Sequence, residues 1–158
     1  MANTQAICDT FRVDLLNGTH AFGTQGANGV RTVTTKDVFK AALFLATATI
    51  NRSTTAYAVT GEVSGTGYTA GGVTVTNANL PANTGGTGIV AFWTPSASFV
   101  WTTVTLATAF DTVLLYNSSN TALASVAAFT FGSQTVTAGN FTLTMPSNDL
   151  TNGLIRLS

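Results

Sequence analysis

The sequence predicts an all-β fold, an antiparallel β-sandwich of jelly-roll or Ig-like type, with about eight or nine short strands and a short N-terminal helix and arm. Three observations carry this. Short runs rich in Val, Thr and aromatic residues alternate apolar with polar, the period of a strand with one buried face. Gly, Asn and Pro clusters interrupt them about every eight to twelve residues, where turns are needed. Hydrophobic residues make up 45% of the chain and charged residues 8%, against about 25% charged in ordinary domains. Core material is plentiful, and the surface has to be neutral or covered by other chains. At 158 residues the chain suits one sandwich, placed at 37–158, preceded by a helix and arm at 1–36.

Taken in order, Thr4 to Leu16 reads as a helix. Ile7, Phe11 and Leu15 recur every four residues, Cys8 falls on the same side, and Asn17-Gly18 supplies a stop. Gly18 to Lys36 is loop-like and could be an arm crossing a partner. Val38 to Ala46 reads as a strand with Phe39, Ala41 and Leu43 inward and Lys40 outward. The central stretch Thr55 to Thr76 reads as strand, glycine turn, strand. Tyr57, Val59 and Val63 alternate with smaller or polar residues, and Val73 and Val75 resume the alternation. Gly65, Gly67, Gly71 and Gly72 mark backbone at positive φ or in close approach to another segment. Further strands are expected at Ile89–Thr94, ending before Pro95, and at Ser98–Ala107, Thr112–Tyr116, Ala124–Phe131, Gln134–Thr137, Phe141–Met145 and Leu154–Leu157. Within Ser98–Ala107, Phe99 and Trp101 take one face and Val100, Val104 and Leu106 the other. Ala138-Gly139-Asn140 and Asn152-Gly153 read as turns.

The same residues exclude several functions. Net charge is zero and no basic patch exists, so no nucleic-acid partner is expected. No apolar run approaches the roughly 18 residues of a membrane span, and no secretory signal opens the chain. A single cysteine excludes an internal disulfide. His20 is the only histidine, too few for a histidine metal cluster. A reactive Cys8 would need His20 as its base. Asp9, Asp14, Asp37, Glu62, Asp111 and Asp149 are scattered without calcium-loop spacing. The segment around Gly65-Thr66-Gly67 lacks the ending of a phosphate-binding loop. No catalytic residue, metal or cofactor is therefore expected. Trp93, Trp101, Tyr57 and Tyr116 read as core filling, whereas Tyr68, among glycines, reads as exposed. The candidate interface residues are Ile7, Phe11, Leu15 and Tyr68.

The stretch FKAALFLATATINRSTTAYAVTGEVSGTGYTAGGVTVTNA, with FWTPSASFVWTTVTL, LLYNSSN, FGSQTVTAGNFTLTMP and LIRL, resembles small structural proteins of tailed-bacteriophage virions. The likeness covers nearly the whole chain and brings no catalytic residues. It implies a capsid decoration, or cement, protein made in the host cytoplasm and carried on the virion, with the major capsid protein as partner. A tail, collar or fibre-attachment component, or a displayed glycan- or receptor-binding sandwich, is the alternative. Low charge and many strand edges add the expectation of self-association, as a homotrimer.

Overall fold

The computed structural model describes residues 2–24, 35–83 and 90–158. Its elements are β1 (Ala6–Ile7), α1 (Asp9–Leu16), β2 (Phe39–Leu45), β3 (Val73–Thr74), β4 (Ala91–Trp93), β5 (Phe99–Asn117), β6 (Ser125–Leu143) and β7 (Ile155–Leu157). The fold is all-β and antiparallel, as the sequence predicts. A five-stranded sheet runs in the order β1-β6-β5-β2-β3, and β4 pairs with β7 in a second, two-stranded sheet. Seven strands stand among the described residues where eight or nine were expected, because several predicted strands are pieces of two long ones.

Those two are β5 and β6, each 19 residues, joined by the short connection at 118–124. The runs Ser98–Ala107 and Thr112–Tyr116 are both β5. The runs Ala124–Phe131, Gln134–Thr137 and Phe141–Met145 belong to β6 and its continuation. Ala138-Gly139-Asn140 is no turn: it lies inside β6 as a bulge, with Ala138 at φ 48°. A second bulge faces it in β5, where Thr103 has φ 52°. Bulging frees backbone donors, and side chains from the opposite strand take them. Thr103 N–H donates to Asn140 Oδ1 (2.9 Å) and Ala138 N–H to Thr105 Oγ1 (3.0 Å). The extra residue near Thr103 also resets the alternation. Phe99, Trp101, Val104 and Leu106 are all buried and Val100 is exposed, so Val104 and Leu106 do not share the face of Val100 as strict alternation required.

The strand β2 forms where expected, in register with β5 from Phe39↔Asn117 to Phe44↔Thr112. Directly opposed residues of an antiparallel pair share a face. Phe39, Ala41 and Leu43 therefore lie with Asn117, Leu115 and Val113. Over this face pack Phe22 and Trp93, whose rings contact Phe39 at 4.4 and 6.1 Å. Ala42, Phe44, Leu114 and Tyr116 occupy the other face and are also buried, so β2 is closed on both sides and only Lys40 and Leu45, near its ends, are half-buried.

The stretch 55–76 is not a hairpin. Val63 and Val73 do not pair with each other; both follow β2. Val63 N–H donates to Leu43 O (3.0 Å), Val75 N–H donates to Phe39 O (2.9 Å), and β3 pairs through Ala41↔Val73. The glycine-rich residues between them leave β2 and cross to β5, where Thr105 N–H donates to Thr66 O (2.9 Å). They cover the edge of β5 just where β2 has ended. The crossing is backbone on backbone. A Cβ at Gly65 would sit 2.0 Å from Thr105 O, and at Gly72 1.9 Å from Ala41 O.

The N-terminal reading also changes. The helix starts at Asp9, not Thr4. Ile7 is in β1, opposite Ala127 of β6, and Cys8 is extended at the helix N-cap. Asn3 explains the early exit from helix. Its amide donates to Leu45 O (3.0 Å) and Asp111 Oδ1 (2.6 Å) and its carbonyl accepts Ile50 N–H (2.8 Å), which ties this segment to the sheet. Cys8, Phe11 and Phe22 belong to the same core as Phe39 and Trp93. Over residues 2–24 the supposed arm is thus built into the sandwich; Asn28-Gly29, by sequence a hairpin-turn dipeptide, lies outside the described residues.

Candidate functional site

All three tyrosines of the chain converge on one buried carboxylate, Glu62. Its Oε2 accepts the Tyr57 hydroxyl (2.6 Å), and its Oε1 accepts the Tyr68 hydroxyl (2.7 Å) and Gly71 N–H (2.8 Å). Tyr116 stacks on Tyr57 with ring centroids 4.5 Å apart and donates to Gly71 O (2.8 Å). The Tyr68 oxygen accepts Leu43 N–H (3.0 Å). A charge withdrawn from water is tolerated when several hydrogen bonds satisfy it. Burial raises the pKa of all three phenols, and the Glu62 charge pushes the same way, taking Tyr116 up to about 12. Proton loss beside a carboxylate would place like charges together. The cluster is a closed brace that locks the glycine segment to β2 and β5. Tyr68 is therefore not an exposed ring. It is half-buried and packed on the core, because its hydroxyl has partners only on the inside.

A second polar cluster lies on the opposite face. The fully buried Asn117 amide donates to Thr19 O (3.1 Å) and Asp37 Oδ2 (2.7 Å) and meets His20 Nδ1 at 3.2 Å. His20 Nε2 stands 3.8 Å from Asp14. Burial holds the His20 pKa below its ordinary value, although Asp14 and Asp37 pull it up. Cys8 is buried with its thiol against Ser125, and burial raises its pKa, the reverse of what a thiolate nucleophile needs. The remaining carboxylates also have local roles: Asp9 pairs with Arg52 (3.0 Å), Asp111 accepts Asn3, and Asp149 accepts the amides of Thr151 and Asn152, closing the predicted Asn152-Gly153 turn. Among the described residues no three His, Cys, Asp or Glu side chains converge as metal ligands, and no helix is long and apolar enough to cross a membrane.

The expected interface stripe is divided by the fold. Phe11 is 1% exposed, against His20 and Phe22. Ile7 and Leu15 are half-buried on the same core. What the helix offers to solvent is Val13 and Leu16, 57% and 90% exposed, on the face opposite the one the stripe selected. Leu15, Phe11 and Phe22 instead line a small apolar cleft of about 90 Å³ with Trp93, Phe92 and Ile155.

Beyond the end of β2, β5 and β6 continue as a two-stranded ribbon. Val100, Thr102, Thr108, Thr135, Thr137 and Thr142 are exposed on it. No charged residue occurs between Asp111 and Asp149, a run that contains all of β6. That gap is legible in the sequence and is the signal by which this surface could have been found; dividing β6 into three strands concealed it. Comparison with family models, curated proteins and solved structures found no match to this chain.

Proposed function

We propose that this chain is a non-enzymatic structural component of a bacteriophage virion, a decoration protein that binds the outer head surface and braces it. The observation that supports this most is the neutral ribbon. An uncharged, threonine-rich β-surface suits contact with many equivalent sites on a particle, where each contact adds a small apolar and hydrogen-bonded area. The major capsid protein is the partner this reading names, and the virion is its location after synthesis in the host cytoplasm. The sequence resemblance points the same way, and Glu62, whose hydrogen bonds all go to Tyr57, Tyr68 and Gly71, agrees with a scaffold role.

The test is stoichiometry. Quantitative mass spectrometry of purified virions should find the chain at a copy number comparable to the major capsid protein. Recombinant protein should rebind particles stripped of it and raise their thermal resistance. A few copies per particle would move the protein to the tail or collar. Absence from the particle would overturn the reading.

A further inference from the structure

We infer that the free edge of β6 is a self-association site, at which a second copy of this chain adds its own β6 antiparallel about a two-fold axis. The strand β1 covers the outer edge of β6 only at Ala127 and Ala128. From Phe129 to Leu143 no strand among the described residues pairs with it. Long open edges expose unpaired backbone donors and acceptors, and monomeric proteins blunt them with Lys, Pro or bulges. Here Lys and Pro are absent from β6. Its bulges leave a regular stretch at the end, in which Phe141, Thr142 and Leu143 stand opposite Trp101, Val100 and Phe99.

Two features identify the occupant as another copy. Across a two-fold axis residue i of one copy faces residue j of the other and j faces i, so charge of one sign along the edge would repel its own copy. The edge carries none. Phe141, Leu143 and Met145 are only half-buried, although they pack on the core. A strand added beside them withdraws this row from water, and the same row of the second copy completes the cover. A head-to-tail ring is disfavoured by the other end of the sheet. There β3 is two residues long, and the glycine segment already occupies the neighbouring edge of β5. The expectation of a trimer rested on many short open edges, whereas among the described residues the sheet has one long one.

The inference concerns the isolated protein and does not depend on the virion reading, so either can fail alone. Light scattering on the purified full chain at micromolar concentration should give twice the mass of the 16.2 kDa chain. Thr137→Lys/Thr142→Lys and Thr137→Glu/Thr142→Glu change exposed side chains on the strand. Each should be monomeric alone with an unchanged circular dichroism spectrum, and an equimolar mixture should recover the dimer mass. A wild-type monomer, a trimer, or two charged variants that remain dimeric would each overturn the inference.

Discussion

The Tyr68 hydroxyl donates to the buried carboxylate of Glu62 at 2.7 Å. The same oxygen accepts a backbone N–H from Leu43, at 3.0 Å, so one phenol joins the glycine segment to β2. Tyr68→Phe keeps the ring and removes both bonds, stranding the Leu43 donor. A loss of about 1–3 kcal/mol is expected in urea denaturation. Glu62→Ala leaves two phenols and Gly71 N–H without their acceptor and should cost about 3–5 kcal/mol. If Tyr68→Phe denatured like the parent, the hydroxyl would not be acting as a brace.

Alkaline titration reads the same cluster. The folded-state pKa of each tyrosine lies above its ordinary value, chiefly through burial. An unfolded tyrosine ionises near about pH 10. The unfolded chain therefore releases these protons first, and the stability they contribute is complete below that pH. It is lost as pH rises from there through the folded-state values. Tyrosinate absorbance should rise together with loss of circular dichroism. A normal titration of any tyrosine in a chain that stays folded contradicts this arrangement.

The glycines should divide sharply on substitution by alanine. Gly67 and Gly72 have φ of 78° and 72°, and an added Cβ would lie 2.4 and 1.9 Å from the carbonyl oxygens of Thr103 and Ala41. The backbone conformation alone costs about 1–2 kcal/mol, and the clash adds to it. Gly132 and Gly139 meet nothing closer than 4.0 and 3.5 Å. Alanine there should be neutral or stabilise by about 0.4–1 kcal/mol through the unfolded chain. Thermal melts of the four variants give the ranking.

The helix offers a direct contrast between Phe11, 1% exposed, and Leu16, 90% exposed. Phe11→Ala should cost about 3–5 kcal/mol and Leu16→Ala within about 0.5 kcal/mol. Removal of everything before Thr35 should leave a chain that fails to fold, because Cys8, Phe11 and Phe22 are lost from the core. A truncated chain with a cooperative melt like the parent's would restore the separate arm.

The sheet class, β2 and the need for unusual glycines were legible because each rests on a local pattern. Gly67, Gly71 and Gly72 all have positive φ. The length of β5 and β6 was not legible, since Thr103 and Ala138 take positive φ without being glycine and shift the alternation by which strands are read. Glu62 was hidden for another reason. Its alternation with Val63 marks it as outward, and its burial depends on Tyr57, Tyr68 and Gly71 converging on it. The helix stripe failed because Asn3 and β1 draw Ile7 into the sheet before a first turn can form.

The pairing of β1 with β6 imposes an order on assembly. The connection between β5 and β6 is short, so their hairpin closes at small loop entropy and can nucleate the sheet. Ile7, by contrast, waits for Ala127, and Asn3 waits for Asp111. During synthesis the segment that carries β1 leaves the ribosome long before β6, so its pairing is among the last to form. With only 8% of its residues charged, the chain has little like-charge repulsion to keep it apart from other copies in that interval.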